Sequence, residues 1–325
     1  MTHAIRFHKT GGPEVLQWEE VNVPQPGPGE TLVRHKAVGL NYIDTYHRSG
    51  LYPLPLPSGI GLEAAGVIEA VGPNVTEFKP GDRVAYANGP IGAYSEVKIH
   101  TAERLVKLPD GITFEQGASM MLQGLTVQYL LRRLHVVPKA GDTILFHAAA
   151  GGIGLIACQW AKALGINLIG TVSSEEKAKL ARDNGAAHTI LYTKEDFQAR
   201  VMEITGGKKV PIVYDSVGKD TWAKSLDCLQ VRGLMVSFGN SSGAVGPTDL
   251  GILSAKGSLY VTRPTLMSYT GKRDELVAAS KDLFDMVLAG KVKVSPRQSY
   301  ALKDAQQAHR DLEGRKTTGS TILIP

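Results

Sequence analysis

The chain has 325 residues, enough for about two domains, and its 43% hydrophobic and 21% charged residues are ordinary for a globular protein. The net charge of +5 comes without runs of like charge, which favours small anionic ligands and argues against a nucleic-acid binder. Two cysteines, Cys158 and Cys228, exclude a disulfide framework and a cysteine metal site. The start "MTHAIRFHKTGG" lacks the apolar core of a signal peptide and no apolar run reaches membrane-spanning length, so a cytoplasmic location is expected.

In chain order, the first third reads as β-rich. "VLQWEEVNV" and "ETLVRHKAVGL" are strand-like around the breaker-rich "PQPGPGE". "NYIDTYHRSG" predicts a short helix opened by Asn41 and closed by Gly50, followed by the irregular, proline-rich "LYPLPLPSG". "EAAGVIEAV" and "GDRVAYA" add strands, and Thr113 with Gln116 forms a capping box that opens helix running towards His135. Strand and helix then alternate. "TILFHA", "NLIGTV", "AHTILY", "PIVYDSV" and "GLMVSFG" are strands, the last closing the run, and the helices "GGIGLIACQWAKALG", "SEEKAKLARDNG", "KEDFQARVMEITGG" and "DTWAKSLDCLQ" lie between them. That alternation predicts an α/β fold with a doubly wound parallel sheet. A long helix, "KRDELVAASKDLFDMVLAG", and a strand, "GSTILIP", end the chain.

The turn after "TILFHA" reads Ala149, Ala150, Gly151, Gly152, Ile153, Gly154 against the dinucleotide pattern G-x-G-x-x-G, with alanine in the first glycine's place. Gly151 lets the backbone approach a pyrophosphate, Gly154 lets the helix pack on the strand, and the helix N-terminus favours anions. Alanine at position 149 fits if the turn keeps a negative φ there. At the end of the second strand, "GTVSSEEK" presents Ser173, Ser174 and Lys177, which suit a 2′-phosphate and hence NADPH. Glu175 and Glu176 are the opposing signal. Acids in a helix's first turn, with Glu176 closing a capping box on Ser173, account for them structurally.

Gly141-Asp142, Leu145, Ala149-Ala150-Gly151-Gly152, Gly154, Gln159 and Lys162 stand in the spacing of the quinone oxidoreductase and zeta-crystallin signature. With "NYIDTYHRSGLYP", "GDRVAYA", "KGSLYVTRP" and "LKDAQQAH", the whole chain resembles the zinc-free quinone oxidoreductases of the medium-chain dehydrogenase/reductase family. That resemblance implies a GroES-like β-rich catalytic domain over 1–125 and 266–325 and a Rossmann NADP-binding domain over 126–265. The active site would lie in the cleft between them, in a homodimer paired through the Rossmann domains. It also implies that Asn41 and Tyr46 flank the nicotinamide and that Gly151 and Gly152 meet the pyrophosphate. Ser173, Ser174 and Lys177 would take the 2′-phosphate, and Tyr192 would flank the adenosine. Phe238, Gly239, Ser241, Leu266 and Arg315 complete the match, although "EGRKTTG" is only partly like the family's segment around Arg315. Tyr129 is either a further contact or core.

Zinc-dependent relatives carry a cysteine where Asn41 stands, a histidine where Leu62 stands, and a four-cysteine lobe that this chain lacks. Leucine cannot ligate zinc, so a metal-free reaction is expected. A quinone or conjugated carbonyl is already electrophilic and accepts hydride into a delocalised anion once it is oriented against the cofactor. Tyr46 is the candidate donor to that anion, or else only a cofactor contact. Asn41 holds cofactor or substrate, or only caps its helix. Asp44 reads as a first-turn carboxylate rather than an acid catalyst. The readings carried are an NADPH-dependent quinone reductase, an enone or enoyl-thioester reductase on the same scaffold, and a cofactor-binding structural or RNA-binding protein. No basic stripe with interleaved aromatics supports the last.

Overall fold

The computed structural model describes residues 2–325 and divides them into two compact units. One runs through Leu125 and resumes over Thr270–Ala289 and Val294–Pro325; the other comprises Thr126–Tyr269 and Gly290–Lys293. The return to the first unit falls after Tyr269 rather than after residue 265. Tyr269 belongs with the second unit because its ring stacks on Tyr129 at 4.5 Å and its carbonyl accepts from Arg133.

The first unit is built on a seven-stranded sheet. The path runs Pro296–Ala301, Ser320–Ile324, Glu30–Leu40, Glu63–Val71, Arg83–Ala87, Val106–Lys107, with Val97–Thr101 also pairing Glu30–Leu40. Glu30–Leu40 begins with alternate residues buried, as a half-covered strand does, and becomes continuously buried from Ala37. Ser320–Ile324 pairs antiparallel with it, Ile322 opposite Gly39, so both ends of the chain share one sheet. A smaller sheet, Gln17–Val21, Thr2–Phe7, Ser58–Gly59, packs Ile5 and Phe7 into the core shared with Val33, Val38, Ile68 and Tyr94. Thr113 and Gln116 exchange both bonds of the capping box that opens the helix Phe114–Arg132. Pro296–Ala301 and the helix Ala305–Glu313 add a strand and a helix beyond those expected from the sequence.

The second unit has six parallel strands: Thr143–Phe146, Asn167–Val172, His188–Leu191, Val210–Asp215, Leu229–Ser237 and Tyr260–Thr262. Numbered in chain order they stand 3-2-1-4-5-6, the doubly wound arrangement. Leu145, Ile169, Ile190, Val213 and Met235 form its centre. "GLMVSFG" does not close the sheet, because Tyr260–Thr262 adds a short outer strand. The fifth strand also starts earlier than expected. The helix before it ends at Asp227, Leu229 is already paired with Val210, and an irregularity in register follows.

Candidate active site

In the second unit the buried strand Thr143–Phe146 runs into His147, and the chain turns at Ala148, whose φ is +56°. The left-handed residue is therefore Ala148, and Ala149 keeps the ordinary conformation that the sequence required of it. Ala149 N–H donates to the Thr171 carbonyl of the neighbouring strand at 3.1 Å. Its methyl group has room because Gly170 faces it, and a Cβ at 170 would lie 2.5 Å from the Ala149 Cβ. Gly170 thus accommodates the residue that replaces the first glycine. Gly151 caps the helix Gly152–Ala163 in an extended conformation with no side chain on the first-turn N–H groups, which leaves them for an anion. At Gly154 a Cβ would overlap the Ala148 carbonyl oxygen, so that glycine is required for the helix to close on the strand.

Beneath this loop lies a buried polar chain. Asp215 Oδ1 accepts from Val217 and Gly218 N–H, and Oδ2 accepts from Thr221 Oγ1 and Ser225 Oγ. With the Ser225 proton so used, His147 Nε2 is the donor to Ser225 Oγ and His147 Nδ1 accepts from Thr171 Oγ1, each at 2.9 Å. Burial lowers the His147 pKa, which keeps the ring neutral in that chain.

The strand Asn167–Val172 runs into Ser173 and Ser174. The helix cap is Ser174, whose Oγ accepts from Lys177 N at 3.3 Å, and not Ser173 as the proposed box with Glu176 required. The helix begins one residue later than expected, and Ser173 instead accepts Thr193 Oγ1 on its carbonyl. Lys177 lies half-buried in the first turn, and Tyr192, just past the adjacent third strand, is exposed and donates its N–H to the Val172 carbonyl. Glu175 faces Lys194 at 3.9 Å. Across the sheet, Phe238, Gly239 and Ser241 follow the fifth strand. A Cβ on Gly239 would lie 2.5 Å from the Ser216 carbonyl, and Ser241 N–H bonds that same carbonyl. Arg263, which sequence reasoning missed, ties this turn by donating to the Ser237 and Gly239 carbonyls at 3.0 Å. Leu266 opens the short helix Leu266–Thr270 and is half-buried. Tyr129 is buried in its stack with Tyr269.

In the first unit Asn41 caps the helix Tyr42–Ser49, and Gly50 ends it with φ +85°. Tyr46 sits edge-on between Tyr42 and Tyr52, centroids 5.6 and 5.2 Å away. Arg315, with φ +58°, follows the helix Ala305–Glu313, and its charge acts on Tyr42. Asp44 is more than a first-turn carboxylate. It is fully buried, and its Oδ2 accepts Asn41 N–H and Tyr94 O–H, each at 2.9 Å. The chain continues through His309 to Arg48, which forks onto Glu313. Burial pushes the Asp44 carboxyl up to about 7 against those two donors, and burial pushes His309 down to about 3.

A second buried carboxylate, Glu63, was not singled out from the sequence. Its only mark there is a charge inside the apolar strand "GLEAAGVI". Asn41 Nδ2 donates to Glu63 Oε2 at 2.6 Å, and Leu122 N donates to Oε1 at 2.9 Å. Desolvation pushes the Glu63 carboxyl up to about 8; the two N–H donors oppose this, and the charge of Asp44 adds to it. Among the described residues, no three His, Cys, Asp or Glu side chains gather as metal ligands.

Residues 152–282 match the family described as zinc-binding dehydrogenase, and residues 27–110 match the alcohol dehydrogenase GroES-like domain. Over the full length of both chains, the sequence is 60% identical to a quinone oxidoreductase of Pseudomonas aeruginosa. The solved quinone oxidoreductase of Escherichia coli complexed with NADPH superposes with a TM-score of 0.97 at 57% identity, covering 99% of this chain and all of that one. A 2-haloacrylate reductase of a Burkholderia species is 48% identical over all of this chain and 99% of its own.

Proposed function

The chain belongs to the quinone oxidoreductases of the medium-chain dehydrogenase/reductase family, and on that premise we propose that it reduces quinones with NADPH, without a metal. One observation carries this reading. An anion cradle at a helix N-terminus and a Ser-Ser-Lys strand end stand at the carboxyl edge of one parallel sheet, in a chain that matches quinone oxidoreductases from end to end. When bound, NADPH supplies the hydride.

The residues present fit that group. The Gly151–Gly152 turn and its first-turn N–H groups hold the pyrophosphate, because no side chain occupies them. Ser173, Ser174 and Lys177 take the 2′-phosphate, where an amine and hydroxyls can each donate. Tyr192 flanks the adenosine, and Phe238, Gly239, Ser241 and Leu266 line the dinucleotide. In the first unit, Asn41, Tyr46 and Arg315 serve the nicotinamide end and the acceptor, and Tyr46 O–H donates to the oxyanion that forms on the quinone. With Asn41 and Leu62 at the positions that ligate zinc in related dehydrogenases, the acceptor's own electrophilicity replaces a Lewis acid.

The 2-haloacrylate reductase favours a second reading, reduction of an activated carbon–carbon double bond. A steady-state screen of NADPH oxidation against simple quinones, 2-haloacrylates, enones and enoyl thioesters separates the two. Quinones should turn over fastest, and turnover confined to the unsaturated acids or thioesters would replace the first reading by the second. Tight NADPH binding with no turnover on any acceptor would point to the structural or RNA-binding class instead.

The assembly we propose is a homodimer joined through the outer strand of the second unit, in a reducing cytoplasm. Tyr260 and Val261 on that strand are exposed, and Cys158 and Cys228 are buried and unbridged. Among the described residues no helix is long and apolar enough to cross a membrane.

A further inference from the structure

Asn41 is held from both sides of its carboxamide. Nδ2 donates to Glu63 Oε2 at 2.6 Å, and Oδ1 accepts from Gln123 Nε2 at 3.2 Å. Gln123 Oε1 lies 2.7 Å from Ser320 Oγ, whose single hydrogen also has the Ser119 carbonyl within 3.0 Å, and Glu63 is oriented by Leu122 N–H on its other oxygen. The two amide donors therefore run in one sense, from Gln123 through Asn41 to Glu63. Neither amide can flip alone without setting like groups against each other, donor on donor for Asn41 and acceptor on acceptor for Gln123. All four side chains are buried. The space for the Glu63 carboxyl group is made by Gly39, directly opposite it across the strand pair. A Cβ at 39 would overlap Glu63 Oε2 and the Ala118 carbonyl oxygen. A carboxyl group kept in the interior at the cost of its desolvation, with a glycine making room for it, touches one candidate site residue, and that residue is Asn41.

A carboxamide is planar, so two bonds fix its plane and with it the direction of the second Nδ2 hydrogen, which has no partner among the described residues. We infer that Glu63 and Gln123 are positioning residues that clamp Asn41 and aim its remaining N–H at the ligand, the carboxamide group of nicotinamide or the acceptor oxygen. This rests on the reading of Asn41 as a nicotinamide-side contact. On this reading Glu63, which is fully buried, acts through Asn41.

A double-mutant cycle tests it. NADPH affinity is measured by fluorescence titration, and the rate of NADPH oxidation by a quinone is measured in a single turnover, for Glu63→Gln, Asn41→Ala and the pair. Glutamine keeps the shape of the side chain but sets an NH2 group, which cannot accept, against one of the two N–H donors. Glu63→Gln should slow the single turnover about tenfold in the unmodified background and less than twofold in the Asn41→Ala background. In apo protein labelled with 15N-asparagine, the Asn41 side-chain resonance should move when Glu63 is changed. Equal losses in both backgrounds would make Glu63 merely structural and overturn the clamp, as would a Glu63→Gln protein that behaves as unmodified. If Glu63→Gln does not fold, Gln123→Met opens the other side of the clamp with Glu63 in place, and the same coupling to Asn41 must appear or the inference fails. Asn41→Ala with unmodified affinity and rate is a distinct result. It removes the reading of Asn41 itself, and the clamp's purpose with it.

Discussion

Ser174 Oγ accepts a hydrogen bond from Lys177 N–H, so one hydroxyl both caps the helix and stands among the proposed phosphate contacts. Accepting leaves its proton to donate, and the Lys177 amine adds charge one turn in. Removing that charge should separate the two nicotinamide cofactors. Lys177→Ala should weaken NADPH by about 1.5–3 kcal/mol, roughly tenfold to a hundredfold, and leave NADH nearly unchanged. Titrations of both cofactors check this, and an unmodified protein that binds them equally would defeat the 2′-phosphate assignment. Tyr46→Phe asks a different question of its hydroxyl. If the hydroxyl donates to the acceptor's oxyanion, kcat falls while NADPH affinity holds; loss of affinity at unchanged kcat would make it a cofactor contact only. Glu63 also predicts a pH signature. Its carboxyl is pushed up to about 8 in the folded protein from an ordinary 4.5, so between those values the folded chain keeps a proton that the unfolded chain has lost. The unfolded state binds fewer protons there, and stability falls as pH rises, by up to about 1.4 kcal/mol per pH unit. His35, His100 and Lys98 are pushed down and act oppositely in parts of that range, but they are common to unmodified protein and Glu63→Gln. Relative to the variant, the unmodified protein should therefore lose stability from pH 4.5 to 8 in denaturant melts. A difference that does not change with pH would mean that the carboxyl titrates normally.

At the scale of elements, three glycines are set by what lies beside them rather than by their own turns. Gly154 lies against the Ala148 carbonyl, Gly170 against the Ala149 methyl group, and Gly39 against Glu63. Gly154→Ala should lift the helix Gly152–Ala163 off its strand, lowering both stability and NADPH affinity, because backbone cannot yield as a flexible side chain can. A thermal melt and a cofactor titration measure the two losses, and an unchanged protein would show that the close packing is dispensable. Gly154 was legible in the sequence because the phosphate-loop pattern is local, as were the alternating strands and helices and the cap pairs Asn41 with Gly50 and Thr113 with Gln116. What was not legible depends on partners far along the chain. Gly39 and Glu63 meet only when two strands pair, Gln123 reaches Ser320 across 197 positions, and Asp44 gains its role from Tyr94 and His309. The outer strand Tyr260–Thr262 was missed because three residues, two exposed and one half-buried, carry too little periodicity to register. The Ser173 cap failed by one residue because two adjacent serines can each cap a helix, and only backbone geometry chooses between them.

For the molecule as a whole, the outer strand of the second unit poses the remaining physical problem. Tyr260–Thr262 pairs on one side with Leu229–Ser237 and has no strand on its other side among the described residues. An edge of this kind is usually blunted by charge or proline, yet here it carries Tyr260 at 56% and Val261 at 40% exposure, with Val231 at 72% nearby. Gly257 lies against Val231 and its carbonyl accepts Arg232 N–H, so the turn that leads into this strand is held against the fifth. A second copy related by a two-fold axis would cover the edge with its own equivalent, antiparallel, and bury the same side chains twice. Light scattering should accordingly find the unmodified protein as a dimer at micromolar concentration. Val261→Lys places a charge on the strand and should shift the protein to monomer, with the second unit's fold intact by circular dichroism, because one lysine at an edge is compatible with the sheet it sits on. A monomeric unmodified protein would rule out the assembly, and a Val261→Lys protein that stays dimeric would move the interface to another face.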